Sequence, residues 1–217
     1  MYDSLHDLAN ILPRQKFRKV ALAYHIQKYA LRFGDFTFAS GMKSDNKFDM
    51  ELLPGDGYDL AVDMLVEIIG EDKPDSVFGV PNGGIPIAER TASRLNVPLI
   101  ATYKTSEGTF HVREDSPITT GRIYGFEDAI TTGGSTLKTK NAVEQYANLR
   151  GYSIVVPRTF AIIRRMERNP EALLKPYDID LSYIFSTREL LGWFMFLYER
   201  ELIEIDPRWN EMWIPNL

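Results

Sequence analysis

The sequence predicts an α/β protein whose twisted, mainly parallel sheet is flanked by helices. From residue 76 onwards, short apolar runs of strand length alternate with segments in which apolar residues recur at helical spacing. Strands that are joined through helices run parallel, and a parallel sheet is covered on both faces. Because ligands of such sheets bind beyond the carboxyl ends of the strands, functional residues are expected at the strand-to-helix turns.

The part of the chain before this alternation predicts a helix, a hairpin and a second helix. Apolar residues on one helical face predict the first helix over about 16–33, and these are Phe17, Val20, Ala21, Tyr24 and Leu31. Short alternating pieces around a Ser-Gly turn predict the hairpin within 33–52. Apolar residues at helical spacing from Leu60 to Ile69 predict the second helix, with Gly70 at its end.

The alternating part supplies the strands and helices of the sheet. Apolar runs predict strands at 76–80, 99–103, 122–126, 154–156, 160–163 and 181–185. The fourth and fifth runs form either two strands or one strand that is bent at Pro157. Helical spacing predicts helices over 84–95, over 134–150 and after residue 186. The segment 104–120 is long, polar and aperiodic, which predicts a mobile loop.

Length and composition limit the classes of function. The chain has 217 residues, 44% of them hydrophobic, which is enough for one sizeable core with or without a small appended lobe. A net charge of −5 disfavours nucleic acid as a partner. The absence of cysteine excludes disulfides and thiolate chemistry. No apolar stretch reaches the roughly 20 residues of a membrane span. We therefore expect a soluble, cytoplasmic protein without a membrane partner.

The stretch GFEDAITTGGST, residues 125–136, combines acids, hydroxyls and glycines between a predicted strand and a predicted helix. Gly133 and Gly134 allow the backbone to approach a ligand, and the amides of the first helical turn suit a phosphate. Glu127 and Asp128 can accept hydrogen bonds from sugar hydroxyls or hold a divalent cation through water. A ligand with a phosphate and a diol fits both halves, whereas the alternative is a capped helix with two solvated acids.

Two further stretches lie at the same predicted edge of the sheet. GVPNGGIPIAE, residues 79–89, is a strand, a Gly-rich turn and a helix, and its free amides suit a second phosphate; an ordinary turn is the alternative. In AIIRRMERNPE, residues 161–171, two arginines follow a strand. An arginine fork suits a carboxylate, although a pair of solvated surface arginines fits the same pattern.

Residues 125–136 resemble the ribose-phosphate signature of the type I phosphoribosyltransferases, in which two acids and two variable residues precede a run of Thr, Gly and Ser. The resemblance implies that Glu127 and Asp128 contact the ribose hydroxyls of phosphoribosyl pyrophosphate. It implies that the following loop binds the ribose and its 5-phosphate through Thr131, Thr132, Gly133, Gly134 and Ser135.

Two other motifs are similar to those of the orotate phosphoribosyltransferases. GVPNGGIPIA resembles GxxxGGIPLA, which implies that the pyrophosphate contacts are Pro81, Asn82, Gly83 and Gly84. FGDFTFASGMKS, residues 33–44, resembles FGxFTLxSGxxS of a small hood subdomain. In that family an aromatic residue packs on the pyrimidine, and the matching residue is Phe48. Some relatives carry Lys in place of Gly83 or Ala39.

The base site and the cover loop match this family only in part. Arg165 and Glu167 match its Asp-Arg-x-Glu motif, which implies that Arg165 binds the base together with Phe48 and Thr131, but Arg164 replaces the usual Asp. In the segment 104–120, Lys104 matches one basic residue of the family's RKxxKxHG loop. Tyr103 and Glu107 replace two others, and no His-Gly follows. The resemblance implies that Lys104 and Asp128 are catalytic and that Lys104 also binds pyrophosphate.

The resemblance, which covers about residues 30–170, implies transfer of ribose 5-phosphate from phosphoribosyl pyrophosphate to orotate. It implies Mg²⁺ held mainly by the substrate, a homodimer, and a single type I phosphoribosyltransferase domain over 1–217. Its hood would comprise about 1–55, to which the C-terminal segment can belong, and its core about 56–190. Two alternatives stay open: transfer to another nucleobase, and a non-catalytic regulatory protein that binds phosphoribosyl pyrophosphate.

Overall fold

The elements of secondary structure are taken from a computed structural model, which describes residues 4–37, 41, 43–166 and 168–204. In chain order they are α1 (Leu5–Ala9), α2 (Arg14–His25), a π-helical turn (Ile26–Ala30), β1 (Leu31–Thr37), β2 (Lys43–Phe48), a 3₁₀ turn (Met50–Leu52), α3 (Gly55–Ile69), β3 (Ser76–Gly79), α4 (Gly84–Leu95), β4 (Leu99–Ile100) and β5 (Thr102–Lys104). They continue with β6 (Phe110–Val112), β7 (Gly121–Ile130), α5 (Gly134–Leu149), β8 (Ile154–Arg164), α6 (Pro170–Leu174), a second 3₁₀ turn (Lys175–Tyr177), β9 (Asp180–Ser186) and α7 (Thr187–Tyr198).

The chain divides into two compact units. The terminal unit comprises Met1–Leu60 and Thr187–Leu217, and the sheet unit comprises Ala61–Ser186. None of the helices within the described ranges combines the length and the apolar character that a bilayer crossing requires.

The terminal unit contains the predicted hairpin, but its first helix is shorter than the sequence predicts. The helical stretch ends at Ala30, and β1 begins at Leu31, which pairs with Phe48 across the antiparallel ladder to β2. The predicted helix over 16–33 is therefore wrong at its end, because pairing with the next strand, β2, overrides the local helical periodicity. Ala39 and part of the hairpin turn lie outside the described residues.

The sheet unit is built on five parallel strands in the order β4-β3-β7-β8-β9. The helices predicted over 84–95 and 134–150 are α4 and α5. The two apolar runs near Pro157 form one strand, β8, whose register against β7 shifts between Arg122 and Tyr124. The fully buried ring of Phe126 stacks on that of Phe160 at a centroid distance of 5.3 Å, which secures the two central strands against each other.

Strand β7 is longer than predicted. It continues through Glu127 and Asp128 to Ile130, so these acids lie in the strand and not between a strand that ends at residue 126 and the helix that follows. The strand continues because its ladder to β8 continues, with Glu127 opposite Ala161 and Ile130 opposite Arg164. The predicted loop thus shrinks to residues 131–133.

The predicted strand 99–103 and the predicted mobile loop 104–120 are both wrong in part. The parallel strand β4 ends at Ile100, and β5 and β6 form a separate antiparallel hairpin over 102–112. The rings of Tyr103 and His111 stack across this hairpin with centroids 5.4 Å apart. The sequence pattern did not predict these strands because the segment is polar. A two-stranded ribbon needs little apolar surface when cross-strand pairs of side chains stabilise it.

Helix α4 packs so closely on β7 that its first residue, Gly84, has no room for a side chain. A Cβ there would collide with the carbonyl oxygen of Phe126, which accepts a hydrogen bond from the amide of Val80 at 2.7 Å. We expect Gly84→Ala to lower the free energy of unfolding by about 3 kcal/mol, because two pieces of backbone must separate.

The matched control is Gly134→Ala at the first residue of α5, where the nearest atom to an added Cβ is Thr132 Oγ1 at 3.4 Å. This variant should change the free energy of unfolding by less than about 0.5 kcal/mol. Urea titration of both variants measures the difference, and equal stabilities would contradict the close packing of α4 on β7.

Candidate active site

Two of the predicted binding stretches adjoin at the carboxyl edge of the sheet. The turn after β3 lies against the end of β7, where the amide of Val80 donates to the carbonyl of Phe126 at 2.7 Å. A Cβ at Gly83 would collide with the carboxylate of Asp128. The backbone of the predicted pyrophosphate turn therefore lies directly beside one of the predicted ribose acids.

The turn itself, residues 80–84, is held by its own backbone. The amide of Gly84 donates to the carbonyl of Val80 at 2.9 Å, and the amide of Ile85 donates to that of Asn82 at 3.1 Å. The peptide bond between Pro81 and Asn82 is cis. A Cβ at Gly79 would lie 2.6 Å from the carbonyl oxygen of Gly84, so the turn closes onto the strand that precedes it.

The two acids of β7 have different surroundings, because neighbouring residues of a strand point to opposite faces. Asp128 is half-buried beside Gly83. Glu127 is only 9% exposed, and its Oε2 accepts a hydrogen bond from the hydroxyl of Thr136 on α5. Asp128 is thus the acid at the turn, and Glu127 is the acid at the helix.

Burial raises the pKa of the Glu127 carboxyl from its ordinary value of 4.5 to about 8. The charge of Asp128 adds to this increase, and the hydrogen bond from Thr136 opposes it. Glu127 is therefore largely protonated at neutral pH when no ligand is bound. A group that donates hydrogen bonds to Glu127 favours its ionised form.

The loop between β7 and α5 has the backbone of an anion site. Gly133 adopts a left-handed conformation with φ of 82° directly before the helix begins at Gly134. The hydroxyl of Thr132 accepts a hydrogen bond from the amide of Gly134 at 3.2 Å. Thr131, Thr132 and Ser135 are half-buried around this helix end, whose amides and partial positive charge suit a phosphate.

Arg165 lies at the same edge of the sheet, directly after β8. Its amide donates to the carbonyl of Ile130 at 2.8 Å, and the residue is 3% exposed. Its neighbour Arg164 makes two hydrogen bonds to the carboxylate of Glu171, at 3.0 and 2.9 Å. From the sequence alone, Arg164 and Arg165 could also be solvated surface residues. The sequence analysis did not identify Glu171 as the partner of Arg164. Glu167 lies outside the described residues.

Lys104 lies on the hairpin of β5 and β6. Its ammonium lies 5.4 Å from the centroid of the Phe110 ring, and the side chain is exposed. Two residues earlier, the buried hydroxyl of Thr102 donates to the carbonyl of Gly79. This bond attaches the base of the hairpin to the strand that leads into the predicted pyrophosphate turn, and no pattern in the sequence indicates it.

Phe48, the predicted base contact, belongs to the terminal unit. It lies on β2 opposite Leu31 and is 4% exposed. Its role at the base stays a prediction. Within the ranges that the structure describes, no three His, Cys, Asp or Glu side chains come together as a metal site.

Known proteins are similar to this chain in sequence and in fold, although no family model matches the chain. It is 32% identical to the orotate phosphoribosyltransferase of Aeropyrum pernix over 168 residues, which are 74% of this chain and 87% of that protein. It is 30% identical to the orotate phosphoribosyltransferase of Thermoplasma acidophilum over 164 residues, which are 75% of this chain and 91% of that protein. The crystal structure of the Aeropyrum pernix enzyme matches with a TM-score of 0.66 and 27% identity, and the match covers 81% of this chain and 98% of that chain. The predicted fold class is confirmed.

The raised pKa of Glu127 predicts a specific dependence of stability on pH. Between pH 4.5 and about 8 the folded protein keeps a proton that the unfolded chain releases, so this group lowers stability as pH rises. Glu127→Gln removes the titration. We expect the variant to gain stability over the natural protein by roughly 1 kcal/mol per pH unit across this window, and the gain should level off above it.

Urea titrations at pH 5, 7 and 9 measure this difference in free energy of unfolding. The control is Glu171→Gln, because hydrogen bonds from Arg164 lower the pKa of Glu171 and its stabilising effect is instead lost as pH falls. A difference between Glu127→Gln and the natural protein that stays constant from pH 5 to 9 would contradict the burial of an uncharged carboxyl.

Proposed function

We propose, because this chain belongs to the orotate phosphoribosyltransferase family, that it transfers ribose 5-phosphate from phosphoribosyl pyrophosphate to orotate. The products are orotidine monophosphate and pyrophosphate, as in pyrimidine nucleotide synthesis. One observation supports this function above the others: the turn at Gly83 lies against the carboxylate of Asp128. It brings amides for a pyrophosphate beside an acceptor for sugar hydroxyls.

We place the donor along the edge of the sheet with its two anionic ends at the two turns. Its 5-phosphate would bind the amides and hydroxyls of residues 131–135, where α5 begins. Its ribose hydroxyls would donate to Asp128 and Glu127, and its pyrophosphate would contact the turn of residues 81–84. Both anionic ends then meet backbone amides, and the neutral diol lies between them.

We place the acceptor at Arg165. Orotate carries a carboxylate, and an arginine fork binds a carboxylate through two parallel hydrogen bonds. Arg165 follows β8 at the edge where Thr131 follows β7, and the bond from the Arg165 amide to Ile130 keeps the two segments together. We assign the base to Arg165 and Thr131, and we keep Phe48 as its predicted aromatic contact.

The reaction breaks the bond between the anomeric carbon and the pyrophosphate oxygen, and the electron pair leaves with the pyrophosphate. A ring nitrogen of the base supplies the pair for the new bond and loses its proton to water. The protein acts mainly through electrostatics. Asp128 orients the sugar, and Lys104 supplies positive charge to the departing pyrophosphate.

Mg²⁺ belongs to this proposal as a cation that arrives on the phosphates of the donor. The family resemblance implies a metal held mainly by its substrate, and Glu127 and Asp128 face different surroundings on β7. Mg²⁺ would neutralise charge on the leaving pyrophosphate, and Asp128 is the acid that can reach it through water. A homodimer, a cytoplasmic location and the assignment of 1–55 as a hood complete the proposal and rest on the family resemblance.

The test is an assay of pyrophosphate release from phosphoribosyl pyrophosphate and Mg²⁺ with a panel of nucleobases. We expect release with orotate, and we expect Asp128→Asn to lower it at least about a hundredfold with little change in melting temperature. Loss of activity and folding together would make Asp128 structural.

The panel also separates the alternatives. Release of pyrophosphate with a base other than orotate, and not with orotate, would show that the acceptor is that other base. Binding of the sugar donor without pyrophosphate release in the presence of any base would favour a regulatory protein. This alternative is tested because Tyr103 and Glu107 replace two basic residues of the family's loop. Either result would overturn the proposed function.

The role of Arg165 predicts a selective change in substrate affinity. Arg165→Lys keeps the charge but removes the fork, so the KM for orotate should rise at least about tenfold, the equivalent of one charge-assisted hydrogen bond. The KM for the sugar donor should change less than about threefold. Arg164→Lys is the matched control, because Arg164 is bound to Glu171 and should leave both KM values nearly unchanged. Equal losses for the two substrates would contradict a base-site role.

A further inference from the structure

We propose that Thr136 is a positioning residue for this reaction, because its hydroxyl holds the carboxyl group of Glu127 in place for the sugar. The inference rests on the proposed function. The residues to which the resemblance assigns the ribose and its 5-phosphate end at Ser135, so the resemblance assigns no role to Thr136. Its role follows from what its side chain contacts.

The geometry fixes one oxygen of the carboxyl group. Thr136 is fully buried in the first turn of α5, and its hydroxyl donates to Oε2 of Glu127 on β7. Within the described part of the chain, this is the hydrogen bond that the Glu127 side chain makes. Within the described ranges no hydrogen bond reaches Oε1, and 9% of the surface of the residue stays exposed. Thr136 thus holds one oxygen and leaves the other for a donor on the ligand.

The bond also couples two parts of the site. The first turn of α5 carries the amides for the 5-phosphate, and β7 carries the acids for the sugar hydroxyls. The hydroxyl of Thr136 lies in the helical turn and holds the carboxyl group of Glu127 on the strand. It therefore sets the distance between the groups that bind the 5-phosphate and the groups that bind the sugar hydroxyls. Loss of such a support costs affinity even when the contacting groups remain, because the ligand must then order them.

The surroundings leave few other groups to perform this task. The residue opposite Glu127 on β8 is Ala161, and on the other side β7 meets the turn that begins at Val80. The side chains of Ala161 and Val80 cannot donate a hydrogen bond. One turn further along α5, the ammonium of Lys140 is paired with Glu144 at 2.7 Å. The donor that supports Glu127 is therefore Thr136.

Three variants test the role. Thr136→Val keeps the shape and removes the hydroxyl, whereas Thr136→Ser keeps the hydroxyl. Thr139→Val removes a buried hydroxyl from the same helix that donates to the carbonyl of Ser135 and not to Glu127. Calorimetry measures the Kd for phosphoribosyl pyrophosphate with Mg²⁺, and steady-state kinetics measure kcat and both KM values.

We expect Thr136→Val to raise the Kd and KM for the sugar donor about tenfold, and the KM for orotate less than about twofold. Thr136→Ser should bring the donor Kd back to within about threefold of the natural protein, and Thr139→Val should leave it unchanged. In a Glu127→Ala background, Thr136→Val should change the Kd less than about twofold, because the hydroxyl then has no carboxyl group to hold.

The outcomes separate this inference from the function on which it rests. If the natural protein binds the donor and Thr136→Val binds it equally well, the positioning role is wrong and the proposed function stands. If Thr136→Val and Thr139→Val weaken binding alike, the hydroxyl is structural and the role is again wrong. If the natural protein neither binds the donor nor releases pyrophosphate, the proposed function falls, and the positioning role falls with it.

Discussion

The contact of the 80–84 turn with the end of β7 is the constraint on which the rest of the site depends. Side chains at Gly83 and Gly84 would collide with Asp128 and with the carbonyl of Phe126. Without these side chains the turn lies against the strand, and its amides come beside an acid. This arrangement supports the proposed site for a molecule that carries a phosphate group next to a diol. A side chain at either glycine would push the turn away from β7 and would separate the groups to which we assign the sugar donor.

Two adjacent acids serve this site in different ways because the strand presents them to opposite faces. Asp128 lies half-buried at the turn. Glu127 lies in an apolar environment that raises its pKa to about 8, and a single hydroxyl of α5 supports it. Burial of a carboxyl group lowers the stability of the fold at neutral pH, which is a common property of functional sites. The loss of folding stability that burial of Glu127 causes is smaller when a ligand donates hydrogen bonds to its carboxylate.

The sequence predicted what local patterns determine. Helices α4 and α5 follow from apolar periodicity and the glycines before them, and the functional turns follow from their position after apolar strands. The sequence patterns failed to predict the ends of elements that are determined by pairing between strands. The ladder to β8 extends β7 to Ile130, and the ladder to β2 takes Leu31 out of a helix. Hydrogen bonds between distant residues, such as those from Thr136 to Glu127 and from Thr102 to Gly79, leave no periodic signal.

The central claim is that one edge of the sheet holds an activated pentose between two sets of amides. A crystal structure of the protein with phosphoribosyl pyrophosphate and Mg²⁺ tests it most directly. We expect pyrophosphate density within hydrogen-bond distance of the Asn82 and Gly83 amides, 5-phosphate density at residues 131–135, and the ribose hydroxyls at Asp128. Density for the donor at another surface, or its absence from this edge at a saturating concentration, would contradict the account.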